Sequence, residues 1–471
     1  MTHINRRKLL AETGLLAASL TLGGLALGGV ARGAGTRPPN IIMILCDDLG
    51  YGDVGPTGGR RVPTPNLDRM AAQGITLTDY YAPANVCTPS RAGILTGRYP
   101  VRTTLSRVLL EADTHQLPKT ERTIAHALKP AYKSALIGKW HLGHKGDGWD
   151  PTNYGFDLFY GIPYSHDINP LRLYERKAGE AMRDEEVDFP RLQQKFYARA
   201  QGFIEENAHR PFFLELALSS PHLPNFPAPG FGGKSTAAGA YGDTIIEIDS
   251  IVGRLNATLA RLGLERDTLV IFTSDNGPWF EGSTGGLRQR KGGGAYDGAY
   301  RVPFVARWPG HIPAGRRSNA MAMGIDVLPT ACALAGLPLP PGVEIDGRDI
   351  SAVLMHGAAS PHEELLLFQD ENVVGIRTRR WKYVRADFYM NFLIPLDGRG
   401  YPQLYDMRDP TEQYSVASLH PDVARAMQAR MQQAAARFAP YRRTPEDPIA
   451  AQAKAQSAAR GHTNVPGMWQ D

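Results

Sequence analysis

The sequence predicts an α/β protein: a large mixed, mostly parallel sheet flanked by helices, followed by a small C-terminal antiparallel sheet plus helix. Three observations predict it. Continuous apolar runs recur at residues 40–46, 134–137, 212–218, 268–272 and 303–308. Unbroken hydrophobicity, as opposed to alternation, marks strands buried on both faces, as parallel strands are. Helical patterns separate these runs. The clearest places Ile245, Ile248, Val252, Leu255, Leu259 and Leu262 at spacings of 3, 4, 3, 4 and 3, which is one helix face. Beyond about residue 365 the texture changes to short strand candidates at 373–377, 381–385 and 403–407. A helix with Val423, Met427, Met431, Ala434 and Phe438 on one side follows them.

In chain order, the first apolar run begins at Asn40 and ends in Asp47-Asp48. A short helix is expected over 65–72, closed by Gly74. The strand at 268–272 follows the long helix after Gly263. Alternating strands and helices build a sheet covered on both faces, and in such sheets ligands gather at the C-terminal ends of the strands. The domain reading is a large main domain over 37–365, a small subdomain over 366–441 and an extended tail, rich in Ala, Gln and Pro, over 442–471.

The chain has 471 residues, 42% apolar and 21% charged, a globular composition that excludes a disordered or collagen-like chain. The net charge is +5, and the first 34 residues hold Arg6, Arg7, Lys8 and Arg32 against Glu12, so the remainder is nearly balanced. Nucleic acid, which requires a clustered basic face, is not an expected partner. The three cysteines, Cys46, Cys87 and Cys332, form no CxxC and suggest neither a disulfide framework nor a zinc site. Residues 1–34 pair Arg6-Arg7 with 19 uncharged residues from Thr13 to Ala31 and small residues near Ala31, Gly33 and Ala34. They resemble a twin-arginine signal peptide. A membrane anchor is the alternative, but five glycines weaken the run and no stop-transfer pattern follows. Periplasmic or secreted localisation is the expectation.

Two strand ends carry oxygen donors. Asp47 and Asp48 close the first run, and Asp275 and Asn276 close the run at 268–272. Three carboxylates and an amide carbonyl form a hard-oxygen set suited to Ca²⁺ or Mg²⁺. The plain alternative is that strand-to-loop turns favour Asp and Asn in any case. A third feature is Cys87-Thr88-Pro89-Ser90-Arg91. Thr88 reads as an N-cap and Pro89 as the first helical residue, so Cys87 sits just before a helix N-terminus, where the dipole favours negative charge. Arg91 lies one turn in and can reach back to the same spot. Cys46, in a strand, and Cys332, in an apolar helix, read as core.

These residues carry a family resemblance. Cys87-Thr88-Pro89-Ser90-Arg91 with Leu95-Thr96-Gly97 resembles the sulfatase signature C-x-P-S-R-x-x-x-L-T-G. Gly138-Lys139-Trp140-His141-Leu142-Gly143 is similar to the second signature of that family, with Ala131 where Gly is usual. Gly161-Ile162-Pro163-Tyr164-Ser165-His166 and Pro221-His222-Leu223-Pro224 match further active-site segments. Lys291-Gly292-Gly293 through Arg301-Val302-Pro303 resembles the late lysine segment, departing at Asp297 and Ala299. Leu404-Tyr405-Asp406 with Asp409-Pro410 and Glu412 resembles the C-terminal subdomain. The likeness spans roughly residues 38–440 and is nearest to the arylsulfatase branch of the alkaline-phosphatase superfamily.

The resemblance implies hydrolysis of sulfate monoesters through a sulfo-enzyme intermediate. Cys87 would be converted to formylglycine, whose hydrate attacks sulfur and later releases sulfate as the aldehyde re-forms. It implies one Ca²⁺ (Mg²⁺ suits less well) held by Asp47, Asp48, Asp275, Asn276 and the modified Cys87. Arg91 would hold the nucleophile and offset the acidic cluster, and Lys139 and Lys291 would bind sulfate oxygens. His141 would take the second hydroxyl's proton, His222 with Lys291 would protonate the leaving oxygen, and Ser165 would orient the diol. The implied partners are a small-molecule or glycan sulfate ester, the formylglycine-generating enzyme and the twin-arginine export machinery. A phosphonate monoester or phosphodiester hydrolase of the same superfamily is the alternative activity. Tyr160, Tyr164 and Arg172 either line the alcohol pocket or simply pack.

Overall fold

The computed structural model describes residues 37–385 and 403–443. The expected signal segment 1–34 and the tail beyond 443 lie outside the described residues. Ten strands form one sheet, in the order Arg316–Ser318, Ile75–Leu77, Phe304–Arg307, Thr268–Ser274, Asn40–Asp47, Phe212–Pro221, Lys133–Lys139, Leu158–Ile162, Arg172–Lys177 and Arg183–Glu186. The five central strands, from Thr268–Ser274 to Leu158–Ile162, run parallel. Antiparallel pairs flank them on both sides.

The run at 303–308 was expected among the parallel strands, and it departs from that expectation. Phe304–Arg307 pairs antiparallel with Thr268–Ser274, with Phe304 opposite Thr273. After Ser274 the chain stays at the C-terminal edge and re-enters the sheet from that edge, which fixes its direction.

Both faces of the parallel block are covered, as continuous apolar strands require. Ile42, Ile44, Leu214, Leu216, Val270 and Phe272 face the helices Leu192–Glu206 and Gly239–Arg261, which contribute Phe196, Phe203, Ile245, Ile248, Val252 and Leu255. Their strand neighbours Ile41, Met43, Leu45, Phe213 and Leu136 face the opposite way, onto Ile94 and Leu95 of helix Cys87–Thr96 and Leu328 of helix Val327–Ala335. The period-2 alternation of strands thus divides one apolar run between two cores.

The C-terminal subdomain is a four-stranded antiparallel sheet, Glu364–Gln369, Asn372–Thr378, Trp381–Val384 and Gln403–Asp406, covered by helix Pro421–Phe438. Its first strand was not anticipated, and it straddles the expected boundary at 365/366. Met427, Met431 and Phe438 of the helix pack with Leu365, Leu367, Val374 and Ile376.

A buried charge cluster ties this subdomain to the main sheet. Lys382 Nζ lies 2.7 Å from both Asp297 Oδ1 and Glu412 Oε1, with all three side chains fully buried. Tyr81 Oη donates to Asp297 at 3.0 Å, so the departure at Asp297 is absorbed by dedicated partners. Burial pushes the Glu412 carboxyl up to about 7, against the pull of Lys382. Lys382→Met leaves this part of the cluster short of a cation and should cost about 3–5 kcal/mol of stability at neutral pH. Protonated Glu412 is the form the fold favours, so the loss should shrink as pH falls from about 8 to about 5; urea unfolding at both pH values measures it.

Candidate active site

The parallel strand ends deliver the polar residues. Asp47 ends the central strand, and Asp48 takes φ 65, a left-handed turn that Asp tolerates, so the chain leaves the sheet at once. The Asp48 N–H donates to Asp275 Oδ1 at 3.2 Å and the Leu49 N–H to Ser274 Oγ at 2.9 Å, which locks the two donor loops together. Lys139 ends strand Lys133–Lys139. Gly138 before it has φ 123, and a Cβ there would lie 1.8 Å from Ala217 O, so only glycine brings Lys139 to this position.

Cys87 is the first residue of helix Cys87–Thr96, after extended Val86. Thr88 was expected as the N-cap and is not. Its Oγ1 accepts the Leu109 N–H at 3.1 Å, so the hydroxyl anchors a crossing loop instead of the helix end. The dipole was expected to favour charge on Cys87. Burial instead pushes the thiol up, against Lys139 and Lys291, which pull it down.

Three carboxylates and three cations interleave at the centre. Lys139 Nζ donates to Asp47 Oδ2 and to Ser165 Oγ, both at 2.6 Å, and Lys139 and Asp47 are wholly buried. Arg91 Nε donates to Asp275 Oδ2 at 2.8 Å, Nη1 donates to Lys139 O at 3.0 Å, and Nη2 lies 3.5 Å from Asp47 Oδ1. Lys291 Nζ donates to Asp48 Oδ2 at 2.8 Å. Burial raises the Asp47 carboxyl, but Lys139, then His222, Arg91 and Lys291, hold it well below the ordinary carboxylate range. Asp275 is pushed up to about 6 by burial, with Arg91 opposing and Asp47 adding to the rise. Burial works against the Lys291 ammonium, yet Cys87, Asp48 and Asp47 hold its pKa above the usual lysine range.

The two histidines are held through different ring nitrogens. His141 Nε2 donates to Leu109 O at 2.9 Å, since a carbonyl only accepts. Its buried Nδ1 has no partner among the described residues. Burial, then Lys139, depresses its pKa well below the ordinary histidine value, so the ring is neutral with a lone pair on Nδ1. His222 Nδ1 donates to Leu223 O at 2.6 Å, and its Nε2 lies 3.6 Å from Asp48 Oδ2.

The donor set fits a hard cation. Asp47 Oδ1 and Asn276 Oδ1 are buried and accept no hydrogen bond among the described residues. Asn276 Nδ2 is turned away, donating to Asp48 Oδ1 at 2.7 Å and Gly277 O at 2.8 Å. Ligand atoms of Asp47, Asp275 and Cys87 lie within 4.8 Å of one another. Nine of the eleven predicted site residues are therefore linked directly through carboxylates or Cys87; Ser165 and His141 join through Lys139 and the loop of Leu109.

Several supporting residues escaped the sequence reading. The Leu109 carbonyl sets the His141 tautomer, and no side-chain pattern could have revealed a backbone role. Asp53 accepts from Tyr241 Oη at 2.6 Å, Gly50 N–H at 2.8 Å and Ser283 N–H at 2.8 Å, tying the loops after Asp48 and Asn276 together. His166 stood inside a recognised segment without a role. It is buried, with Nδ1 3.2 Å from Ser219 Oγ and its ring edge-on to His222 at 5.6 Å. Tyr160 lies edge-on to Phe196, Tyr164 lies edge-on to His144, and Arg172 pairs with Asp184 at 2.7 Å.

Residues 39–337 match the family described as Sulfatase, and residues 294–437 match the one described as N-sulphoglucosamine sulphohydrolase, C-terminal. Human arylsulfatase A is 37% identical over 444 residues, covering 83% of this chain and 86% of that protein. The crystal structure of PsFucS1 sulfatase from Pseudoalteromonas sp. superimposes with a TM-score of 0.78 at 30% identity, covering 87% of this chain and 92% of that one. The phosphonate monoester hydrolase of Agrobacterium radiobacter shares the fold at a TM-score of 0.62 and 21% identity, covering 85% and 96% of the two chains. Likeness of this breadth, extending through both the large sheet and the C-terminal subdomain, establishes that the chain belongs to the sulfatase family and is a sulfuric ester hydrolase.

Proposed function

We propose that the protein hydrolyses sulfate monoesters by covalent catalysis at residue 87, converted from cysteine to formylglycine, beside one Ca²⁺ held by Asp47, Asp48, Asp275 and Asn276. The convergence of Cys87, Asp47 and Asp275, with ligand atoms within 4.8 Å of one another, carries this reading. Burial keeps the Cys87 thiol protonated, so the unmodified side chain is a weak nucleophile. The hydrated aldehyde would supply a nucleophilic hydroxyl and the cation would polarise the sulfuryl oxygens and acidify that hydroxyl.

The chain's own residues then divide the remaining work. Lys139 and Lys291, already positioned against Asp47 and Asp48, bind sulfate oxygens as point charges. Arg91 holds Asp275 and balances the acidic cluster. Ser165 accepts from Lys139, which leaves its own O–H to orient the hydroxyls of residue 87. His141, neutral and open at Nδ1, takes a proton from residue 87. His222 must carry a second proton on Nε2, 3.6 Å from Asp48 Oδ2, and gives that proton to the departing alcohol oxygen, leaving the ring neutral with Nδ1–H on Leu223 O.

The Arg6-Arg7 segment supports twin-arginine export to the periplasm or beyond, after a formylglycine-generating enzyme has acted on the unfolded chain. The substrate is a small-molecule or glycan sulfate ester. Nitrophenyl sulfate should be turned over faster than nitrophenyl phenylphosphonate; a large preference for the phosphonate ester would reverse the assignment.

Cys87→Ala should abolish turnover of nitrophenyl sulfate without changing the unfolding midpoint appreciably. His141→Ala and His222→Ala should each lower kcat by about 10²–10⁴-fold. The His222→Ala loss should shrink as the leaving phenol becomes more acidic, while the His141→Ala loss should not; rates across a series of substituted phenyl sulfates measure the difference. Asp275→Ala should weaken Ca²⁺ binding and activity together. Chelation should abolish activity and lower the unfolding midpoint, both restored by Ca²⁺.

A further inference from the structure

His166 takes no part in the chemistry assigned above, yet it is buried against the catalytic centre. The residue before it, Ser165, accepts from Lys139. The His166 ring lies edge-on to His222, with centroids 5.6 Å apart at 85°. His222 itself has one hydrogen bond among the described residues, from Nδ1 to Leu223 O at 2.6 Å. A single bond to the next residue's carbonyl leaves a ring free to swing, so the angle of His222 depends on what packs against it.

Three elements fix the His166 ring. Gln193 Nε2, on helix Leu192–Glu206, donates to Ser219 Oγ at 2.8 Å. Ser219 lies on strand Phe212–Pro221, three residues before His222. Its hydroxyl accepts from Gln193, which leaves its own O–H to donate to His166 Nδ1 at 3.2 Å. Nδ1 is then the acceptor, and the ring hydrogen sits on Nε2. Phe226 closes the slot, 6.0 Å from the His166 ring at 69°, and Phe189 backs Phe226 at 4.9 Å.

Packing alone does not call for histidine here. His166 Nε2 is buried without a partner among the described residues, and a donor left in that state costs about 1–3 kcal/mol. Phenylalanine would occupy the slot between His222 and Phe226 without that cost. It could not accept the Ser219 hydroxyl, which is the contact that sets the rotation of the ring. Burial, then His222, pushes the His166 pKa down to about 4, so the ring brings no positive charge to the side of His222.

We infer that His166 is a positioning residue for the leaving-group acid: anchored by Ser219, its ring buttresses His222 and keeps that ring's Nε2 on the departing oxygen. The inference rests on the assignment of His222 as the acid under the sulfate-ester reading. A misplacement of about 1 Å at a reacting group costs on the order of 10²-fold in rate, so a loosened His222 is enough to be measured.

The test measures kcat and KM for phenyl sulfate and for nitrophenyl sulfate in the Ca²⁺-loaded enzyme at matched formylglycine content. It compares the wild type with His166→Phe and Ser219→Ala, each alone and combined with His222→Ala. Each single variant should lower kcat on phenyl sulfate by about tenfold or more with KM nearly unchanged, and should lower it less on nitrophenyl sulfate, whose phenol departs with less help. In the His222→Ala background each should add less than about a twofold loss. His166→Phe should unfold at the wild-type midpoint or above it. A loss equal on both esters, a loss that persists in full without His222, or no loss at all overturns the positioning role while the sulfatase reading stands. If His222→Ala itself lowers kcat equally on both esters, the acid assignment falls and the positioning role with it. A wild-type enzyme that turns over neither ester, although residue 87 is formylglycine, overturns the sulfate-ester reading itself.

Discussion

A carboxylate buried without a partner costs several kcal/mol, and the C-terminal edge of this sheet buries three. The arrangement is tolerable because each is matched: Asp47 with Lys139, Asp275 with Arg91 and Asp48 with Lys291. The pairs are also cross-linked, since Arg91 reaches toward Asp47 and donates to the carbonyl of Lys139. Removing one member leaves an opposite charge stranded, so the centre is held as a unit. That same alternation leaves Asp47 Oδ1 and Asn276 Oδ1 without donors, which is the opening a divalent cation would fill.

The fold supplies the positions at which such a cluster can form. Parallel strands bring Asp47, Lys139 and Asp275 to one edge at adjacent or near-adjacent ladder positions, and the Cys87 helix points its first turn at the same edge. Antiparallel entry of Phe304–Arg307 follows from the chain staying at that edge through the loops that carry Asn276 and Lys291. Loop carbonyls then divide the two histidines into distinct roles, with Leu109 engaging Nε2 of His141 and Leu223 engaging Nδ1 of His222. Each ring thus presents a different nitrogen to the centre, Nδ1 from His141 and Nε2 from His222.

Much of this was legible from residue pattern. Continuous apolar runs located four of the five parallel strands, because strands covered on both faces can lack polar alternation, and the 3-4 spacing located the long helix; Leu158–Ile162 was missed, and the run at 303–308 is buried on both faces yet antiparallel. The site residues were legible through motif identity: a Cys-x-Pro-Ser-Arg run followed by Leu-Thr-Gly is too specific to arise from helix-capping chemistry. Pattern could not supply what depends on tertiary geometry. Thr88 looks like a cap, but its hydroxyl serves Leu109. The strand Glu364–Gln369 sits just where one domain was expected to end, because an edge of a small sheet can be apolar without being parallel. The thiol of Cys87 was expected to be favoured as an anion by the helix dipole, but it is wholly buried and its pKa is raised.

On the proposed mechanism, the buried thiol at position 87 becomes an effective nucleophile only after oxidation to the aldehyde. The most direct test measures, by mass spectrometry of the peptide containing residue 87, the formylglycine fraction in preparations made with graded amounts of the modifying enzyme, and compares it with turnover of nitrophenyl sulfate in saturating Ca²⁺. The kcat per chain should rise in proportion to that fraction and vanish with it. Full turnover by protein in which Cys87 remains a thiol would contradict it.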